Sequence, residues 1–155
     1  MKVYLIRHGE AEPNEDDSVY ALSAKGKKEI EALAKLLIPQ QISVSYFLHS
    51  GKLRAEQTAN IFSQAIFCSH GVEKRQGLDP LDLVSPIAAE INQFDQDLAL
   101  VGHMPFMGKL AAKLVTGYES NEFVFFQTGT ILCLERTGGG WLVRWMLSPE
   151  LLKDS

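Results

Sequence analysis

The first apolar run of this chain, Lys2 through Ile6, closes on Arg7-His8-Gly9. Val3, Tyr4, Leu5 and Ile6 carry no polar interruption, the pattern of a strand buried on both faces, and such strands belong to parallel sheets flanked by helices. Ligands of those sheets bind beyond the carboxyl edge, which is where Arg7 and His8 fall. Arginine presents a planar fork matched to phosphate oxygens, and histidine can act as nucleophile or general acid near neutral pH. Gly9 lets the backbone turn sharply or approach a ligand closely.

The pattern recurs. Leu98-Ala99-Leu100-Val101 is a second apolar run, ending in Gly102-His103-Met104-Pro105. Met107, Leu110, Ala111, Leu114 and Val115 then share one helical face, with Pro105 suited to the first turn. His103 is therefore expected at a strand-to-helix turn, beside the positive end of a helix. A third strand is expected over Val44 to Leu48, with Ser50 capping the helix that follows and Arg54 in its opening turns. Three strand ends thus carry two arginines and two histidines to one sheet edge, and a phosphoryl group would explain all four.

The remainder reads as scaffold. Ile30, Leu33, Ala34, Leu37 and Ile38 form a helical stripe that stops at Pro39. Arg54 to Ile66 is expected to be helical, with Ala55, Ala59, Phe62 and Ile66 on one side. Gln76 to Pro86 is expected as a loop, Ile87 to Phe94 as a short helix, and Phe123 to Phe126 and Ile131 to Arg136 as strands. Gly138-Gly139-Gly140 links the last of these to Trp141 through Trp145 as a hairpin. Alternating strands and helices predict a three-layer α/β/α sandwich with a mostly parallel central sheet.

Composition narrows the function. With 155 residues, 46% hydrophobic and 22% charged, the chain is expected to form one soluble domain with a proper core. A net charge of −4 argues against nonspecific nucleic-acid binding. No apolar stretch reaches membrane-spanning length, and the run ending at Arg7 is too short for a signal-peptide core. The two cysteines, Cys68 and Cys133, have no metal-type spacing and are expected to be reduced, buried thiols in a cytoplasmic protein.

Arg7-His8-Gly9, Arg54 within an R-A-x-Q-T-A stretch and His103 in a G-H-x-P turn together resemble the histidine phosphatase superfamily, above all its SixA-type phosphohistidine phosphatases. Leu22-Ser23-Ala24-Lys25-Gly26 resembles that family's L-T-x-x-G before the first helix, Leu78-Asp79-Pro80 its L-x-P loop, and Leu147 to Lys153 its chain end. The resemblance runs from Met1 to Lys153 without a large insertion. It implies a phosphoglycerate mutase-like fold and a single domain over residues 1–155.

It also implies roles. His8 attacks phosphorus and is transiently phosphorylated, its other nitrogen donating to a backbone carbonyl while nearby Arg7 and Arg54 disfavour its protonation. Arg7, Arg54 and His103 bind phosphoryl oxygens, joined by the Met104 N–H. Asn14 completes an R-H-G-E-x-x-x-N spacing whose amide contacts phosphate in the mutase branch, making it a further phosphate-binding candidate. Glu12, Glu15, Asp16 and Asp17 around it read as a solvated loop. Asp79 and Asp82 lie where other branches carry a carboxylic general acid. His49 and His70, lacking such context, read as surface or core histidines.

No metal or other cofactor is expected, since the arginines neutralise the phosphoryl oxygens and no Asp/His cluster has ligand spacing. The expected substrate is a phosphorylated histidine-phosphotransfer protein, because the short chain leaves little room for the lid that roofs mutase-like pockets. The alternatives are a small-molecule phosphomonoesterase of the same superfamily and a phosphoprotein-binding module without turnover. An intact nucleophile argues against the module. No nucleic-acid or membrane partner is expected, and the chain is expected to be a monomer.

Overall fold

The computed structural model describes residues 1–152, so Lys153 of the chain-end motif lies outside the described residues. The described residues form eight strands and four α-helices: β1 (Lys2–Arg7), α1 (Ala24–Leu37), β2 (Ile42–Val44), β3 (Tyr46–His49), α2 (Leu53–Phe62), β4 (Ile66–Cys68), β5 (Val72–Lys74), α3 (Ser85–Gln93), β6 (Leu98–Gly102), α4 (Phe106–Thr116), β7 (Ile131–Thr137) and β8 (Gly140–Leu147). The main sheet runs β5-β3-β6-β1-β7-β8, while β2 and β4 form a small parallel pair of their own. From β5 to β1 the neighbours are parallel, and β7 and β8 close one edge antiparallel. The architecture is the mostly parallel sandwich expected from the sequence.

The period of two along each strand sorts its side chains between two cores. Val3, Leu5, Leu98 and Leu100 pack under α3 and α4, against Ile87, Ile91, Leu110 and Leu114. Tyr4, Ile6, Ala99 and Val101 pack on the opposite face, against Ile30 and Leu33 of α1 and Ala55, Ala59 and Phe62 of α2. The unbroken apolar run of β1 is thus explained: each face of the sheet has its own helical cover. A large side chain such as Phe62, fully buried here, contributes about 2–3 kcal/mol by leaving water.

Several expectations change. The strand expected over Val44 to Leu48 is broken by a bend at Ser45, so that Ile42–Val44 pairs with β4 while Tyr46–His49 joins the main sheet. The α2 helix ends at Phe62; Ile66, one helical turn further and on the same phase, opens β4 instead. Phe123 to Phe126 forms no strand and joins neither edge of the main sheet. Ile38 leaves the α1 stripe for a 3-10 turn over Ile38–Gln40 and is half exposed. Cys133 is buried, and burial pushes its thiol up to about 11, whereas Cys68 is only half buried; both are free thiols.

One glycine ties the fold to the strand end. The Ser23 hydroxyl caps α1 by accepting the Gly26 N–H at 2.9 Å, and the Ser23 N–H is held by the Glu10 carbonyl at 2.9 Å. A β-carbon on Gly26 would stand 2.1 Å from that same carbonyl oxygen. The L-S-x-x-G motif therefore docks the first turn of α1 directly onto the backbone two residues beyond His8. Gly26→Ala is expected to cost about 3 kcal/mol, since backbone on both sides must shift. Chemical denaturation measures it, and a loss below about 0.5 kcal/mol would show that α1 does not sit this tightly.

Candidate active site

Strand register brings the two histidines together. Arg7 of β1 pairs with Gly102 of β6, and the His8 N–H continues the ladder to the Gly102 carbonyl at 3.0 Å. The residues that follow, His8 and His103, therefore emerge side by side, with ring centroids 5.0 Å apart and planes tilted by 49°. Both are buried. On the other side of β6, His49 pairs with Val101, which carries Ser50 and the start of α2 alongside. The sheet edge predicted to gather the charged groups does so.

The His8 ring is fixed in one tautomer. Its Nδ1 lies 2.7 Å from the Gly9 carbonyl, which can only accept, so Nδ1 carries the proton and Nε2 is left with a lone pair. Burial, chiefly, lowers its pKa from 6.5 to about 4; Arg54 and then Arg7 push the same way, and the Gly9 bond opposes them. The cations expected to keep this ring neutral thus assist, while desolvation dominates. Burial, His8, Arg54 and Lys52 together take His103 down to about 3. Its Nε2 lies 2.6 Å from the Ser50 hydroxyl.

These depressed values have a consequence for stability. Between pH 6.5 and about 4 the unfolded chain binds protons at positions 8 and 103 that the folded chain refuses. Stability therefore falls as pH drops through that window. The combined loss is expected to be on the order of several kcal/mol, and replacing His103 by Gln should flatten the slope. Urea unfolding at pH 7, 5.5 and 4.5 reads it, and equal slopes in the two proteins would refute the assignment.

Arg7, at the end of β1, donates from Nη1 to the Phe126 carbonyl at 2.8 Å. Three buried side-chain polar atoms among the described residues have no partner: Arg7 Nε, His103 Nδ1 and Thr130 Oγ1. Two of them belong to the expected phosphate-binding set, and the Thr130 carbonyl takes the Arg7 N–H at 3.0 Å. Unpaired buried polar groups are rare in folded proteins, and their concentration here suits an oxyanion that would bond the Arg7 Nε–H.

Arg54 sits in the first turn of α2, its side chain buried. The stretch around it is wired into the strand ends. Thr58, one turn on, donates to the Arg54 carbonyl at 2.7 Å and accepts the Gly9 N–H at 3.0 Å. Gln57 accepts the Leu22 N–H at 2.8 Å. The R-A-x-Q-T-A pattern thus supplies one arginine together with two side chains that lock Gly9 and the entry to α1. Ser50 does not cap α2, whose N-cap is Lys52; its hydroxyl takes the Lys52 N–H at 3.3 Å and faces His103.

The acidic loop is not simply solvated. Asp17 accepts from Arg54 twice, at its carbonyl from Nη1 at 2.7 Å and at Oδ1 from Nη2 at 3.0 Å, and its carboxylate also pairs with Lys52. Tyr20 lies under the guanidinium, 4.9 Å from ring centroid to Cζ. Charge run and exposure alone point to solvent, and the pairing arises only because the loop folds back to Leu22 over the start of α2. Asn14 is exposed and accepts the Asp16 N–H of its own loop at 3.2 Å, so the structure does not bring it to the other four.

Asp79 and Asp82 are exposed, and Asp82 accepts the Asp79 N–H at 2.9 Å, closing the turn on itself. The turn borders the site all the same: the Leu78 carbonyl lies 3.5 Å from the β-carbon position of Gly102. Met104 follows His103 and is half-buried, its peptide to Pro105 cis. His49 is buried, with Nδ1 accepting the Gly51 N–H at 3.0 Å, and His70 is exposed and stacked on Tyr46. Among the described residues no group of three or more His, Cys, Asp or Glu could hold a metal ion. A separate, mostly apolar cavity of about 320 Å³ lies between α3 and β3, lined by Tyr46, Leu48, Ile87 and Phe94 and by none of the four site residues.

This arrangement is that of the phosphoglycerate mutase-like fold, and the comparisons agree. The model of the histidine phosphatase superfamily (branch 1) matches residues 3–83, a span containing Arg7, His8 and Arg54 but not His103. The chain belongs to the histidine phosphatase superfamily. An uncharacterized protein of Picosynechococcus is 32% identical over 147 residues, covering 89% of this chain and 82% of that protein. The structure of the protein histidine phosphatase SixA complexed with tungstate is 28% identical, with a TM-score of 0.86 over 99% of this chain and all of that one. The alpha-ribazole phosphatase from Shigella flexneri shares the fold, at 16% identity and a TM-score of 0.76 over the whole of both chains. Family and SixA likeness support a phosphatase with a histidine nucleophile. No helix among the described residues is long and apolar enough to cross a membrane.

Proposed function

We propose that this chain is a phosphohistidine protein phosphatase that takes the phosphoryl group from a histidine-phosphotransfer domain onto His8 and then releases it to water. The observation that carries the reading is the His8 ring itself, neutral, buried, and held by the Gly9 carbonyl so that Nε2 is the free nucleophile. In this reading Nε2 attacks phosphorus as the P–N bond to the substrate imidazole breaks, and water later attacks phosphohistidine-8 to give inorganic phosphate. Arg7 and Arg54 hold the phosphoryl oxygens, with His103 and the Met104 N–H completing the donor set. Asn14 would join them only if its loop rearranged. No metal is required, because these groups supply the positive charge the transferring phosphoryl needs.

The preference for phosphohistidine follows from leaving-group chemistry. An alkyl ester expels a basic alkoxide and gains about 10²- to 10⁴-fold from a general acid. Imidazole can leave already protonated, so a site with no assured general acid can still cleave its P–N bond. SixA, described as a protein histidine phosphatase, matches nearly the full length of this chain, which supports the same choice. A soluble, cytoplasmic monomer built as one domain over residues 1–155 fits this role.

Specificity constants for a phosphohistidine protein, 3-phosphoglycerate and a sugar phosphate, all in excess chelator, test the proposal. The phosphoprotein is expected to be the better substrate by at least about a hundredfold, with Asp79→Asn and Asp82→Asn leaving its rate within a fewfold. A higher constant for either ester would mark a small-molecule phosphatase. Loss of turnover in chelator, restored by Mg²⁺, would refute metal independence.

A further inference from the structure

Arg54 is gripped from outside the sheet by the loop between β1 and α1. The strap over residues 12–20 is pinned at its base, where the Glu12 N–H bonds the Ala21 carbonyl at 2.9 Å and Ala11 bridges Leu22. Its tip makes a short 3-10 turn over Asp17–Val19, capped by Asp16. From that turn the Asp17 carbonyl and carboxylate take the two Nη atoms of Arg54, and Tyr20 supports the face of the guanidinium. Lys52 closes the cluster on the same carboxylate.

We propose that Asp17 is a positioning residue for the phosphoryl-binding site, setting the plane and reach of Arg54 so that the rest of its fork faces the phosphorus. The inference rests on the reading that Arg54 binds the phosphoryl group. A guanidinium has a long, flexible stem, and orientation held in advance is what makes its bidentate contact worth most in a transition state. A carbonyl, a carboxylate and an aromatic ring fix three different aspects of one planar group, which is more than an ion pair needs. The carboxylate charge also reaches both histidines, raising each against the larger downward effects. Asp17 is 54% exposed at its side chain, so its removal leaves no cavity in either core.

The opposite role has a clear signature. A carboxylate parked on Arg54 as a competitor of substrate would, once removed, let anions bind more tightly. Orthovanadate binding by calorimetry separates the two roles and needs no turnover. Asp17→Ala is expected to weaken vanadate about tenfold with an unchanged melting temperature, and Asp17→Asn, which keeps an oxygen acceptor, to weaken it less. In an Arg54→Lys background, where no fork remains to be aimed, Asp17→Ala should change affinity by less than about twofold. Tighter or unchanged binding in Asp17→Ala, or the same tenfold loss in both backgrounds, would overturn the inference. Failure of the unaltered protein to bind vanadate at all would instead overturn the proposed function on which it rests.

Discussion

His8→Ala is expected to abolish turnover, by roughly 10⁵- to 10⁶-fold in kcat, the scale lost when a covalent nucleophile is deleted. The reason lies in the local geometry. Among the described residues, no other histidine at this edge has a tautomer fixed by a carbonyl and a free lone pair; His103 has its Nε2 against Ser50. A glutamine would keep much of the volume, so His8→Gln should match His8→Ala in rate while folding more like the parent. Thermal melts of both variants separate the loss of chemistry from any loss of structure. Residual activity within a hundredfold of the parent would remove His8 from the nucleophile's role.

Arg7→Ala carries the second largest expected effect. The guanidinium has one nitrogen bonded to Phe126 and a buried Nε with no partner, so a phosphoryl oxygen is the acceptor that would complete it. Removing one such preorganised donor costs about 10²- to 10³-fold in kcat. Because the contact strengthens as negative charge develops, kcat should fall more than KM rises. The Phe126 carbonyl loses its donor as well, yet Phe126 itself stays anchored in the core, so the fold should survive. A fall in kcat/KM of less than about fivefold would mean that Arg7 serves the loop at Phe126 and not the phosphoryl group.

How far these features could be read from the chain alone depended on the range of the interactions. The ends of the central strands β1 and β6 announced themselves: an apolar run followed by Arg-His or Gly-His is a local signal, and parallel register then forces the two histidines together. The α1 stripe up to Leu37 and the α4 stripe were equally legible, because each buries a face with one period. The break at Ser45 was not, since it reflects which distant strand each half pairs with. Ile66 misled for a simpler reason: it stands four residues after Phe62, so helical phase continues across a helix that has already ended. The roles of Thr58, Gln57 and Ser50 are hydrogen bonds to backbone or ring far away in sequence, and spacing carries no trace of them. Asp17 was hidden by its neighbours, because an acidic run looks solvated until the partner cations on another element are known.

On the proposed mechanism, His8 carries the phosphoryl group between substrate and water. Rapid acid-free quenching of the protein with a ³²P-labelled phosphohistidine substrate, followed by peptide mapping, tests it most directly. An acid-labile, base-stable label is expected on the peptide containing His8, at Nε2, and is absent from His8→Ala. Label on a serine, on His103 alone, or on no residue despite full turnover would contradict it.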